Sequence, residues 1–268
     1  MPEVGASRRE VAEFVIGDSR EQGYQPQKSA RGRKRGNVNT LLRQILTLPH
    51  GCAVPAGTDR RGEEIVMKIA IVGKGNVGSA LAEGLHRTKH EVRFASKDPK
   101  EPIADVVIWA DAVILAVPWT AHKVIAASAG NIFDGKTVVD VSNVLTPNME
   151  LAMGFTTSGA EELQKLLPKA RIVKAFNTIF AQNMRDGRLK GECLTVFIAG
   201  DNSVSKETVR KIVEDIGFDC VDAGPLSSAR YLEPLGMLNI KLGYGLKMGT
   251  DIGFTLIRER TISRIKAA

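Results

Sequence analysis

Cysteine is scarce in this chain: three in 268 residues, Cys52, Cys193 and Cys220, with no CxxC pair. That scarcity argues against a zinc site or a disulfide framework and fits a reducing cytoplasm. Aromatic residues make up only 5%. No apolar run approaches the roughly 20 residues that a membrane-crossing helix needs, so the sequence predicts no membrane association. Charge of one sign does not dominate. There are 37 Lys and Arg against 30 Asp and Glu, a net +7 spread along the chain. A basic balance of that kind suits a ligand carrying several phosphates, and no nucleic-acid partner is expected. What is present, 43% apolar residues over 268 positions, is enough for one or two domains with a buried core.

The first 66 residues differ from the rest. They mix Arg, Gly, Gln, Pro and Ser without sustained periodicity and include the basic run Lys28 to Gly36. Only the stretch from Asn37 has apolar spacing for a short helix. The segment reads as a disordered leader, with a nucleic-acid-binding arm as the alternative. Glu3, Glu10, Glu13 and Asp18 argue against a transit peptide. A further reading takes Met67 as the start of the protein, because codons for Gly62-Glu63-Glu64 can spell a ribosome-binding GGAGG. Residues 1–66 would then be translated leader, and abundant native peptides from them would contradict it. A basic tail, 259–268, closes the chain.

From Met67 the sequence reads MKIAIVGKGNVGSALAEGL. Lys68 to Val72 has the β-branched character of a strand, and Ser79 to Leu85 the Ala/Leu character of a helix. Between them lies a G-x-G-x-x-G in the context that gives this pattern its meaning. Gly73 permits a tight turn, Gly75 lets a pyrophosphate approach the backbone, and Gly78 lets the helix pack on the strand. Helix N-terminal amides then face the phosphates. The second strand, His90 to Ser96, ends where an NAD enzyme places a carboxylate for the ribose 2′-hydroxyl. Here Ser96 and Lys97 stand instead. A hydroxyl and an ammonium suit a 2′-phosphate, so the expected cofactor is NADP(H).

Further strands are predicted at Asp111 to Trp119, Lys136 to Asn143, Ala170 to Thr178, Leu194 to Asp201 and Asp219 to Gly224. Helices are predicted at Thr120 to Ala127, Glu161 to Leu167 and Ser205 to Ile216, the last with Ser203 or Ser205 as N-cap and Gly217 as its stop. Leu226 to Arg258 reads as a mostly helical tail. Only Lys97 to Pro102 separate the second strand from Ile103, so the helix and third strand usual at this point are shortened or absent. The fold class is α/β: a Rossmann-type, doubly wound, mainly parallel sheet with a short helical C-terminal tail, spanning 67–258. His122 reads as a surface histidine, Lys174 as a solvated or sheet-end lysine.

Taken together, GKGNVG, the strand ending in VPW, KAFNTIFAQNM (Lys174 to Met184) and DAGPLSSARYLEPL (Asp222 to Leu235) resemble the NADP oxidoreductases dependent on coenzyme F420. They also resemble the related reductase domain of the STEAP metalloreductases. The resemblance implies that Lys74, Gly75, Asn76 and Val77 hold the pyrophosphate and that Ser96 and Lys97 form the 2′-phosphate site. It places Trp119, Leu145 and Ala181 around the nicotinamide, with Val117, Pro118 and Asn143 beside them. It implies hydride transfer to a deazaflavin (F420) or flavin, and a homodimer. Asn177 and Phe180 resemble the STEAP-type and bacterial relatives, which leaves the acceptor open between the two ring systems. No catalytic side chain is assigned, because hydride transfer between rings needs none. Two alternatives stand beside this reading: a non-catalytic NADP(H) sensor, and a pyrroline-carboxylate or hydroxyacid dehydrogenase.

Overall fold

The computed structural model describes residues 65–96 and 100–258, all within one of the two compact units of the chain, 49–268. The leader, Lys97 and the basic tail therefore lie outside the described residues.

The chain alternates strand and helix as the apolar pattern predicts. β1 (Lys68–Val72) leads through the glycine turn into α1 (Asn76–Leu85), then β2 (Glu91–Ala95), α2 (Ile103–Trp109) and β3 (Ala112–Leu115). A 3-10 turn precedes α3 (His122–Ala129), followed by β4 (Thr137–Asp140), α4 (Gly159–Leu166) and β5 (Arg171–Lys174). A small hairpin, β6 (Arg188–Leu189) and β7 (Glu192–Cys193), precedes β8 (Thr195–Gly200), α5 (Ser203–Ile216), β9 (Asp219–Asp222) and α6 (Ala229–Ile240).

Seven strands form one sheet in the order β2-β1-β3-β4-β5-β8-β9. All neighbours are parallel except β5 and β8. β1 and β3 lie side by side while their connections leave in opposite directions, which opens a crevice at their carboxyl ends. β2 is the edge strand. Among the described residues no strand lies beyond it, and the short α2 stands in the connection, as the brevity of that connection predicts.

Strand periodicity sorts the core into two layers. Ile69, Ile71, Ile114, Val139, Val173 and Ile198 face α1 and α5 through Leu81, Leu85, Val209 and Ile212. Ala70, Val72, Val113, Leu115, Val138 and Ile172 face the other way, onto α2 and α4 through Val107 and Leu163. With both faces covered, the strands β3 and β4 are fully apolar apart from their ends.

Three expectations need correction. The cap of α5 is Asn202, whose side chain accepts from the Ser205 amide at 2.9 Å, one residue ahead of the predicted serines. The tail is helical only to Gly245, where α6 ends in a π-helical turn, Lys241–Gly245. Positive φ at Lys247 and Gly249 then stops the helix. Phe254 accepts from the Thr195 amide at 2.9 Å, so the last described residues run beside the start of β8. Lastly, Cys193 is disulfide-bonded, whereas Cys220 is a free, buried thiol.

Candidate functional site

The glycine turn divides its three glycines by what surrounds them. Gly73 sits at φ +110°, and a Cβ there would meet the Ala116 carbonyl oxygen at 2.4 Å. A Cβ on Gly78 would lie 2.2 Å from the Gly73 oxygen. Both are therefore fixed by the fold. Around Gly75 nothing lies within 4 Å of a Cβ, although its backbone is extended, at φ −72°, and open to any residue. The space over Gly75 is open, as the approach of a phosphate to the backbone requires. Gly75 caps α1 without a side-chain hydrogen bond, and no acidic residue lies in the first turn. This helix end thus offers amide hydrogens and a positive dipole with no internal anion to satisfy them.

A cavity of about 910 Å³ extends from that helix end. Asn76 and Val77 form one side, Asn143 and Ala181 another, and Gly236, Asn239 and Tyr244 of α6 and its π-turn the third. Four of the residues that the resemblance singled out thus share one cavity. Val117 packs beside Gly73, within 3.0 Å of where a Cβ would stand. Pro118 is exposed. Trp119 donates from its indole nitrogen to the Leu145 carbonyl at 2.9 Å. That bond joins the loops after β3 and β4 into one ledge. Ser96 stands at the end of β2, where its hydroxyl donates to Glu101 at 3.0 Å. Lys74 also contacts Glu101, with its ammonium 5.2 Å from the Phe94 ring.

The residue that sequence reasoning left without a site role is Asn177. It follows Phe176, a buried aromatic at φ +61°. A non-glycine residue there stores about 1–2 kcal/mol of strain, of the kind that accumulates at functional sites. Asn177 pairs with Asn143: Asn143 Nδ2 donates to the Asn177 carbonyl at 3.0 Å, and Asn177 Nδ2 to Asn143 Oδ1 at 3.3 Å. Asn177 Nδ2 also donates to the Leu232 carbonyl at 2.7 Å. These acceptors fix the amide's orientation and leave Oδ1 buried with no hydrogen-bond partner. Asn177 lines the cavity. A buried acceptor without a donor costs about 1–3 kcal/mol. Gly236 lets α6 close over the pair, since a Cβ there would meet Asn143 Oδ1 at 2.6 Å and Asn177 Nδ2 at 2.7 Å. In the sequence, the only sign of this was an asparagine following a strand end.

Beneath the cavity lies a charge cluster that contradicts two expectations. Lys174 is fully buried rather than solvated. Its ammonium contacts Asp140 and Glu233, both at 3.0 Å, and the Ser142 carbonyl at 2.6 Å. Burial pulls its pKa down, but the two carboxylates outweigh that and hold it above the ordinary lysine value. Burial likewise pushes Asp140 up, and Lys174, with His122 and Ser142, outweighs it and holds the carboxyl below its usual range. Glu233 accepts from the Gly159 and Ala160 amides at 2.9 and 3.2 Å. It therefore caps α4 as well as pairing Lys174. His122 is buried too, with Nε2 4.0 Å from Asp140 and no hydrogen-bond partner. Desolvation lowers its pKa more than Asp140 raises it. The cluster ties β4, β5, α4 and α6 together and so fixes the cavity's walls. Arg230 pairs with Glu161 of α4 at 2.7 Å. Among the described residues no group of three or more His, Cys, Asp or Glu could hold a metal, and no helix is long and apolar enough to cross a membrane.

Comparison with known proteins gives concordant matches. The family model "NADP oxidoreductase coenzyme F420-dependent" matches residues 68–107, which hold the glycine turn, Ser96 and Glu101. Among curated proteins, rat metalloreductase STEAP3 is 33% identical over 184 residues, 64% of this chain. Mouse metalloreductase STEAP2 is 28% identical over 193 residues, 68% of this chain. The chain spans only 37% and 38% of the length of those two relatives. Among solved structures, a hypothetical protein from Sinorhizobium meliloti superposes with a TM-score of 0.54 at 28% identity, over 61% of this chain and 88% of that one. A putative F420-dependent NADP reductase from Arthrobacter sp. FB24 superposes with a TM-score of 0.66 at 30% identity, over 72% of this chain. Since the whole of that solved chain is matched, the protein belongs to the family of coenzyme F420-dependent NADP oxidoreductases.

Proposed function

We propose that this chain is an NADPH-dependent reductase that exchanges hydride between NADP(H) and a planar deazaflavin (F420) or flavin acceptor. The carrying observation is the uncapped, open helix end at Gly75 at one side of a cavity that Asn177, whose Oδ1 is buried without a partner, also lines. One end of the site wants an anion and the other wants a hydrogen-bond donor. A dinucleotide with a pyrophosphate and a carboxamide supplies both.

In this reading the amides at the start of α1, with Lys74 and Asn76, bind the pyrophosphate, and Ser96 with Lys97 binds the 2′-phosphate. When bound, NADPH supplies a hydride at the nicotinamide ring. Asn177, oriented by Asn143, accepts from the carboxamide and sets which ring face is presented. The ledge of Val117, Pro118, Trp119 and Leu145, with Ala181, shields that ring from water. Phe180 and Tyr244, packed edge to face at 5.5 Å, wall the space where an acceptor ring would stack. Alignment and dryness, rather than an acid or base, are what such a transfer demands of the protein.

The decisive test is NADPH oxidation by the full chain with F420, FMN, FAD and a ferric chelate in parallel. The reading expects turnover with F420 or a flavin. Stoichiometric NADPH binding without turnover on any acceptor would overturn it in favour of a sensor.

A further inference from the structure

Glu101 stands where an anionic cofactor would be expected to find only positive and neutral groups. Its backbone carbonyl accepts from the Ser96 amide at 3.0 Å, which closes the loop between β2 and α2 and fixes the residue at the end of the sheet edge. Its two carboxylate oxygens are divided between the two phosphate-binding elements. Oε2 accepts from the Ser96 hydroxyl at 3.0 Å, and Oε1 from the Lys74 ammonium. The site is half-open: the Glu101 side chain is 26% exposed and that of Lys74 47%. Two of the donors assigned above to cofactor phosphates, Ser96 and Lys74, are therefore engaged by one internal carboxylate.

From this arrangement we infer that Glu101 is a specificity-determining residue, an internal anion that occupies the 2′-phosphate subsite and must be displaced when NADP(H) binds. The inference rests on the functional reading above. A 2′-phosphate taking the Ser96 hydroxyl would stand within a few ångström of the carboxylate that now holds it. The two anions repel, and at a partly exposed site solvent screening reduces that repulsion without abolishing it. A cofactor without the 2′-phosphate leaves the Glu101 contacts in place. Glu101 thus lowers the chain's preference for the phosphorylated cofactor, and the ion pair with Lys74 keeps the subsite formed while it is empty. The remaining ligand contacts, at Gly75 and Asn177, belong to other parts of the dinucleotide and are indifferent to the choice.

The test is calorimetric titration of the full chain and its Glu101→Gln variant with 2′,5′-ADP, ADP, NADPH and NADH. Glutamine keeps the length and hydrogen-bonding capacity of the side chain, so the loop can close as before, and a thermal melt checks that it does. The expected result is binding of 2′,5′-ADP and NADPH about tenfold tighter in the variant, the scale of effect that one nearby charge exerts at such a site. ADP and NADH, which gain only through the Lys74 ammonium that the substitution also releases toward the pyrophosphate, should tighten by clearly less than 2′,5′-ADP and NADPH do. Unchanged or weaker 2′,5′-ADP binding, equal gains for all four ligands, or a selective loss of NADH would each overturn the inference. Wild-type chain that binds none of the four would instead overturn the functional reading itself.

Discussion

His122 shows most clearly how a single residue's chemistry depends on partners far along the chain. Its imidazole is 3% exposed and faces Asp140 across 4.0 Å. Desolvation lowers its pKa from the ordinary value near 6.5. A base with a depressed folded pKa binds fewer protons folded than unfolded. Stability from neutral burial is therefore complete above about pH 6.5 and declines as pH falls toward the folded value. Asp140 adds to the same acid limb, since its depressed pKa withdraws stability at still lower pH. His122→Phe is expected to flatten the decline just below pH 6.5 while leaving the steeper loss at lower pH, as read by urea denaturation across the range. An unchanged slope would show that the imidazole is not the group titrating. Neither His122 nor Lys174 was legible as buried. Lysine and histidine are by type seldom fully buried unless paired, and their partners Asp140 and Glu233 come from other elements. The glycines were legible, because each answers to a backbone requirement that no other side chain meets: Gly73 at positive φ, Gly78 against the Gly73 oxygen.

At the scale of elements, the main strands and helices followed from periodicity, whereas their ends, α2 and the small hairpin of β6 and β7 did not. β3 and β4 are shorter than predicted because the segments Ala116 to Trp119 and Val141 to Asn143 leave the sheet to build the site. The helical reading of the tail failed after Gly245 for a local reason, the left-handed residues Lys247 and Gly249. One close approach between elements is that of α6 to the Asn143–Asn177 pair at Gly236. Gly236→Ala must push α6 outward or break the pair, because its Cβ would meet polar atoms at 2.6 to 2.8 Å. We expect a loss of about 1–3 kcal/mol of stability, the usual cost of overpacking, and a disproportionate rise in the Kd for NADPH, because Asn177 would no longer be aimed. A variant with wild-type melting temperature and affinity would contradict the role given to this contact.

For the whole molecule, the sheet topology places the glycine turn, the two ledge loops and α6 at one carboxyl edge, and that convergence is what pattern reading captured best. It could not capture Glu101 on Lys74 or the acceptor left open on Asn177, since both depend on three-dimensional pairing. The proposed function depends first on the uncapped N-terminus of α1 binding the cofactor's phosphates. Gly75→Asp tests it, because the Cβ has open space and the backbone φ of −72° accepts any residue. An aspartate there can cap α1, with stability expected to hold or to rise by up to about 1 kcal/mol. The same carboxylate would repel the pyrophosphate. Calorimetric titration with NADPH, read beside a thermal melt, is predicted to show one site per chain in the wild type. In the Gly75→Asp variant it should show a melting temperature at least as high and binding weakened by two orders of magnitude or more. A stable variant that binds NADPH as tightly as the wild type would contradict the account.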